Sequence, residues 1–179
     1  MWVVTGVQGR FRHFMAAILL GAVASASPSL AIERFSFTVV SASDPVERAV
    51  RAASLLIAAD EAGTTDPQET FAAARADYER ILGALYSKAR YGSTISILLD
   101  GREAADIAFT DVPAAIRSVT VRVDPRNRYT FERAQIGPLA PGSGPVAGFG
   151  VGQNAETGII AAAQSSALQG WFEAGRALA

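Results

Sequence analysis

The side chains that most often carry out chemistry are nearly missing from this chain. It has no Cys and a single His, His13, in 179 residues. His13 lies in a stretch that reads as an export signal, so the processed chain has neither. Thiolate catalysis, imidazole general-base work, disulfides and thiolate zinc sites are then all excluded. Gly142-x-Gly144-x-x-Ala147 matches the loose form of a dinucleotide-binding fingerprint. That motif works only when it opens a helix whose free N–H groups meet a pyrophosphate. Here Pro145 interrupts it and Gly148, Gly150 and Gly152 follow, so it reads as a flexible loop. Lys88, the only lysine, could serve a Ser–Lys dyad, but near a helix C-terminus it reads as a partner of the helix dipole. Asp60 and Glu61 are neighbours whose side chains point apart on a helix. Asp106 and Asp111 flank a loop without the ligand spacing of a calcium site. No catalytic, cofactor-binding or metal-binding residue is assigned, and an enzyme is the disfavoured class.

The elements around these residues begin with the N-terminus. Arg10 and Arg12 precede the apolar run from Met15 to Ala24, and the small, polar run Ser25 to Ala31 follows. This is the order of a secretory signal, with Ser29-x-Ala31 as its cleavage site, and the apolar run is too short to span a bilayer. Cleavage after Ala31 removes Arg10 and Arg12 from 16 basic residues, leaving 14 against 17 acidic ones. A net charge of −3 gives no footprint for nucleic acid. Half of the chain is hydrophobic, ample for a packed core.

The next unit, residues 32–125, reads as strand, helix, helix, strand, strand. Phe35, Phe37 and Val39 alternate along Arg34–Val40, the period of a half-buried strand. Asp44 caps a helix, with Pro45 at its first position and Glu47 three residues after the cap; Val46, Ala49, Val50, Ala53, Leu56 and Ile57 lie on its apolar face and Gly63 at its end. Asp66, Pro67 and Glu69 repeat that start before a second helix, with Phe71, Ala74, Tyr78, Ile81, Leu82 and Leu85 as its stripe. Ser93–Asp100 is extended and ends in the turn dipeptide Asp100-Gly101, and Val119, Val121 and Val123 alternate along Ile116–Asp124. Polar residues between those valines indicate a sheet covered on one face only. The fold class is α+β, two helices on a three-stranded sheet, with Phe35, Phe37, Val50, Leu56, Tyr78, Leu82, Ile95 or Ile97, Val119 and Val121 in its core.

Residues 126–179 begin a second unit. Arg128-Tyr-Thr-Phe-Glu132 echoes Arg34-Phe-Ser-Phe-Thr38, a Gly- and Pro-rich loop follows, and Asn154 caps a helix. Ile160, Ala163, Ala167, Leu168 and Trp171 share its apolar face, with Trp171 read as core. No strands come after it, so the chain is expected to be the front of something longer.

That order resembles the polypeptide-transport-associated (POTRA) repeats that precede the barrel of outer-membrane assembly proteins, closest to those of the translocation and assembly module (TamA) family. The resemblance rests on Arg34-Phe-Ser-Phe-Thr-Val, Ala73 to Tyr78, Leu82 to Tyr86, Thr94-Ile-Ser-Ile97, Val119 to Pro125, Tyr129 to Ala140 and Gly170-Trp171 to Ala179, in that order. Arg126-Asn127 stands where family members carry Gly-Pro, and Arg90-Tyr91-Gly92 lacks their Gly-Tyr pair. The resemblance implies a periplasmic docking arm of a Gram-negative outer-membrane machine, with no cofactor and no metal. Its partners would be unfolded outer-membrane clients and an inner-membrane-anchored subunit, and the membrane would enter only through a C-terminal barrel. It also implies that the second strand, Thr94, Ile95, Ser96, Ile97, Leu98 and Leu99, lies at a sheet edge and pairs with an extended segment by β-augmentation. The alternative is an exported binding or adaptor protein with no barrel.

Overall fold

A computed structural model describes residues 32–144 and 146–176. The signal segment and its Ala31 cleavage site lie outside the described residues. The fold is α+β. Strand β1 (Arg34–Val39) leads to helices α1 (Asp44–Ala53), α2 (Leu55–Glu61) and α3 (Pro67–Tyr86), then strands β2 (Thr94–Leu99), β3 (Arg102–Glu103) and β4 (Ser118–Asp124), and finally helix α4 (Thr157–Glu173). The sheet runs β1-β4-β2-β3, four strands where three are expected. β4 lies between β1, parallel to it, and β2, antiparallel to it.

The extra strand comes from the turn. Asp100 and Gly101 have φ of +48° and +82°, the two left-handed residues of a tight hairpin, so the chain folds back at once. Leu99 then pairs with Arg102 and Leu98 with Glu103. The Asp100 carboxylate accepts from the N–H groups of Arg117 and Ser118, the latter at 2.7 Å, and so fixes the entry into β4.

The first expected helix is two helices. Ser54 is extended (φ −78°, ψ 125°) and caps α2, its Oγ accepting from the Ile57 N–H. The cause lies on α3. Asp77 is fully buried, and its carboxylate accepts from Ser54 Oγ at 2.5 Å, Leu55 N at 2.6 Å and Leu56 N at 3.2 Å. These donors are free only if the chain starts a new helix at that point. The start of α1 also differs: Ser43, rather than Asp44, is its capping residue, and Pro45 is the second helical residue. Asp66 caps α3 as expected, accepting from Gln68 N at 2.7 Å.

Val50, Leu56, Ile81, Leu85, Ile97, Leu99, Val119, Val121 and Val123 form the centre of the core. Phe35 and Phe37, expected there, are only partly buried because β1 has a neighbour on one side. Tyr78 and Leu82 are also partly buried; of that turn of α3, Asp77 and Ile81 face fully inward. The opposite face of the sheet is polar, with Arg34, Ser36, Thr38, Thr120 and Arg122 exposed.

Beyond Pro125 no strand forms among the described residues. Thr130 makes a single bridge to Asn154, which is therefore not the cap of α4; Glu156 is. Ala163 is the one buried residue of α4, while Leu168 and Phe172 are more than half exposed. Trp171 is half-buried rather than core, its Nε1–H donating to the Pro138 carbonyl at 3.0 Å. The two regions are joined by backbone and aromatic contacts. Tyr129 N–H donates to Ala89 O, and Tyr91 Oη–H to Ala155 O at 2.5 Å. The Tyr91 ring sits between those of Tyr86 and Tyr129, with centroids 4.8 and 5.8 Å away. Arg126 takes φ +52°, a left-handed conformation, with its N–H donating to Asp124 Oδ1 at 3.0 Å. No helix among the described residues is long and apolar enough to cross a membrane.

Candidate docking edge

Thr94–Leu99 forms β2, and β4 occupies one of its sides along the full length, from Thr94 opposite Asp124 to Leu99 opposite Val119. Antiparallel pairing turns the backbone groups of alternate residues outward. In β2 these belong to Ile95, Ile97 and Leu99, since Ile97 N–H points away from β4. Those groups are largely taken. Leu99 is paired with Arg102 of β3. Ile97 N–H donates to Glu103 Oε1 at 2.8 Å, and Tyr78 Oη–H lies 3.4 Å from Ile97 O. Among the described residues only the end at Ile95 has no such cover.

Glu103 is the centre of this closure, and sequence reading passed over it. Its carboxylate also accepts from Ser96 Oγ at 2.8 Å and from the Tyr78 hydroxyl in a short hydrogen bond. Burial works against its charge, but the bonds from Tyr78, Ile97 N–H and Ser96 prevail and hold its pKa below the ordinary glutamate value. The Tyr78 hydroxyl moves the opposite way, raised by burial first and then by the neighbouring Glu103. The signal that could have found Glu103 is Asp100-Gly101, whose tight turn returns the chain beside β2 within two residues.

The other end of the sheet is β1. Arg34 N–H and Val40 N–H donate to carbonyls of Arg117 and Val123, so the even-numbered residues face β4. Phe35, Phe37 and Val39 direct their N–H and C=O groups outward. Among the described residues these have one partner, the Arg51 guanidinium, which donates to Phe37 O at 3.2 Å and lies 5.3 Å from the Phe37 ring centre. Arg51 is itself paired with Glu47 at 2.9 Å, with both side chains about two-fifths exposed.

No family model and no curated protein matches this chain. The remaining sequence candidates are separate in space. Gly142 and Gly144 lie in a loop that ends well before α4, with Gly142 at φ +86°. Lys88 follows the C-terminus of α3. Asp60 and Glu61 are exposed at the end of α2. Asp111 pairs with Arg102 at 3.2 Å, both largely exposed, while Asp106 ends the 3₁₀ turn Ala104–Asp106. Among the described residues no three His, Asp or Glu side chains form a metal-sized group. A cleft that sequence reading did not indicate runs between the 134–149 loop and α4. It has two lobes of about 590 and 510 Å³ that share Ile136, Gly137 and Ala167 in their walls.

Proposed function

We propose that this chain is a periplasmic docking arm for outer-membrane protein assembly, built from POTRA-like units of the translocation-and-assembly-module kind. It takes extended segments of unfolded clients, or of an inner-membrane-anchored partner subunit, as an added strand. In this reading the membrane enters only through a barrel C-terminal to residue 179, and no cofactor or catalytic residue is used. The observation that supports it is a one-face-covered α+β sheet that ends in strands with outward-facing backbone groups. Main-chain pairing tolerates many client sequences, as an assembly factor needs. The test is amide hydrogen exchange of the full chain with and without a synthetic outer-membrane-strand peptide. New protection at amides of an edge strand is expected. An unchanged exchange pattern across β1 and β2 at saturating peptide sinks strand addition.

The cleft beside α4 favours a second reading, an exported binding or adaptor protein. Trp171 lines it together with Ile136, Pro138 and Leu168. Quenching or shift of its fluorescence by a small apolar probe, with no change at the sheet edges, would favour that reading.

A further inference from the structure

The outward backbone groups of β1, a terminal strand of the sheet, and of β2, which lies between β4 and the two-residue β3, are covered by different means, and the difference selects one of them. At β2, a second strand and a carboxylate held by three donors occupy the outward groups. Displacing them would leave Glu103 without its partners, so an incoming strand would gain backbone bonds only by breaking as many. At β1 the single cover among the described residues is Arg51, an exposed side chain with an alternative partner in Glu47. Moving it costs little, because exposed ion pairs and their rearrangements are worth only about 0–1 kcal/mol.

We propose that β1, and not β2, is the docking edge, and that its occupant is an extended partner segment alternating apolar and polar residues, with a carboxylate placed against Arg34. This rests on the strand-addition reading above. The alternation follows from the faces of β1. Phe35, Phe37 and Val39 are half-buried on the helix side, and a new neighbour with apolar residues in register would complete their cover. Arg34, Ser36 and Thr38 are exposed on the other side, where polar residues belong. The charge preference follows from what flanks the strand. Arg34 lies on the open face, with Arg122 on the next strand, and Arg51 lies over the edge from the helix side. The acids nearby among the described residues are Glu33, just before β1, Glu47, already paired with Arg51, and Asp44, which shares a groove with Arg48 and Arg51. Asp124 on the open face is paired with Arg126. A carboxylate directly across from Arg34 would fall within the 4.5–5.5 Å Cβ separation of cross-strand pairs, where opposite charges attract.

The chain has no cysteine, so a single introduced thiol reports its own neighbourhood. Ser36→Cys marks the middle of β1 and Thr94→Cys the open end of β2, and both positions are exposed, so folding should survive and far-ultraviolet circular dichroism will check it. The probe is a nine-residue peptide alternating Val and Thr, with one Cys on its polar face and either Glu or Lys two residues away. Under mild oxidation, the full-chain Ser36→Cys variant should cross-link several-fold faster than Thr94→Cys, and faster to the Glu peptide than to the Lys peptide. Adding Arg34→Glu should reverse the Glu-over-Lys order. Faster linkage at Thr94→Cys overturns the choice of edge while leaving strand addition intact. Equal rates for the Glu and Lys peptides overturn the charge preference. Linkage at neither site overturns strand addition itself. Disulfide dimers of Ser36→Cys that exclude the peptide would assign the edge to a second copy and overturn the proposed occupant.

Discussion

Helix α3 spans 20 residues and helix α4 spans 17, and α4 is the more apolar in composition. Yet α3 buries Phe71, Ala74, Ile81 and Leu85, while α4 buries Ala163 alone. The difference lies underneath them. α3 lies along a sheet whose valines and isoleucines rise to meet it, so each apolar residue on its inner stripe leaves water on folding. α4 lies against the irregular 134–149 loop, and a cleft remains between them. Apolar content therefore supplies the potential for burial, and a facing surface decides how much of it is used. Polar residues follow the same rule. α3 holds a buried carboxylate because Asp77 finds three donors, whereas the Gln169–Glu173 pair on α4 is exposed.

A matched pair of truncations should separate the two helices most. Ile81→Ala should cost about 2–5 kcal/mol, the range for a fully buried aliphatic side chain, while Leu168→Ala should stay within about 0.5 kcal/mol. Urea unfolding of both variants would show it, and equal losses would mean that α4 is covered in solution by something the comparison omits. Asp77→Ala comes next. It leaves Ser54 Oγ and the Leu55 and Leu56 N–H groups without an acceptor, for a loss on the order of 2–3 kcal/mol. Hydrogen exchange should show α2 opening well before α3; if α2 stays as protected as before, its start does not depend on Asp77.

The Glu103 closure ties α3 to the sheet through Tyr78 and makes that tie sensitive to pH. The Glu103 pKa is depressed in the folded state, so its contribution is fully present above the ordinary value of 4.5 and is lost as pH falls through the lower folded value. The raised Tyr78 pKa acts in the other direction: its contribution is present below the ordinary value of 10.0 and fades as pH rises above it. A melting temperature that falls less steeply below pH 4.5 in Glu103→Gln than in the unaltered chain is the expected result. Parallel curves would remove Glu103 from the acid response. The smallest effect belongs to the joint between the two regions. Tyr91→Phe deletes the bond to Ala155 O and should cost about 0.5–1.5 kcal/mol, seen as faster exchange at the start of α4 with β2 and β4 unaffected.

Much of the first region could be read from the chain. Alternation placed β1 and β4 within a residue or two, and the Asp66-Pro67 signal placed the start of α3, because each is a local preference that the fold reinforces. What escaped reading was set from a distance. The break at Ser54 depends on Asp77, 23 residues away, in a run of Ala and Leu that would otherwise continue as helix. β3 is two residues long, too short for any period, and Glu103 looks like an ordinary surface acid until the turn folds it onto Ile97. The resemblance put Thr94–Leu99 at an edge, and the carboxylate that covers much of it belongs to Glu103, just outside that window. In residues 126–176 the apolar stripe of α4 was legible, but the surface it faces was not, so Leu168 and Trp171 were placed too deep.

The position of β4 has a consequence for the order of folding. Among the described residues it is the last strand in sequence, and it lies in the interior of the sheet, the only neighbour of β1 and the main neighbour of β2. In a chain that emerges N-terminus first, β1 appears early but has nothing to pair with until residues 118–124 follow. The β2–β3 hairpin can form locally, and the helices can flicker, but short isolated helices and two-stranded ribbons are marginal in water. Closing β1 onto β4 spans nearly the whole unit, a non-local step that slows folding. The arrival of one strand thus converts an open chain into a sheet in a single cooperative event. Refolding should accordingly be limited by the joining of β4, with β1 and β2 gaining protection together rather than in turn.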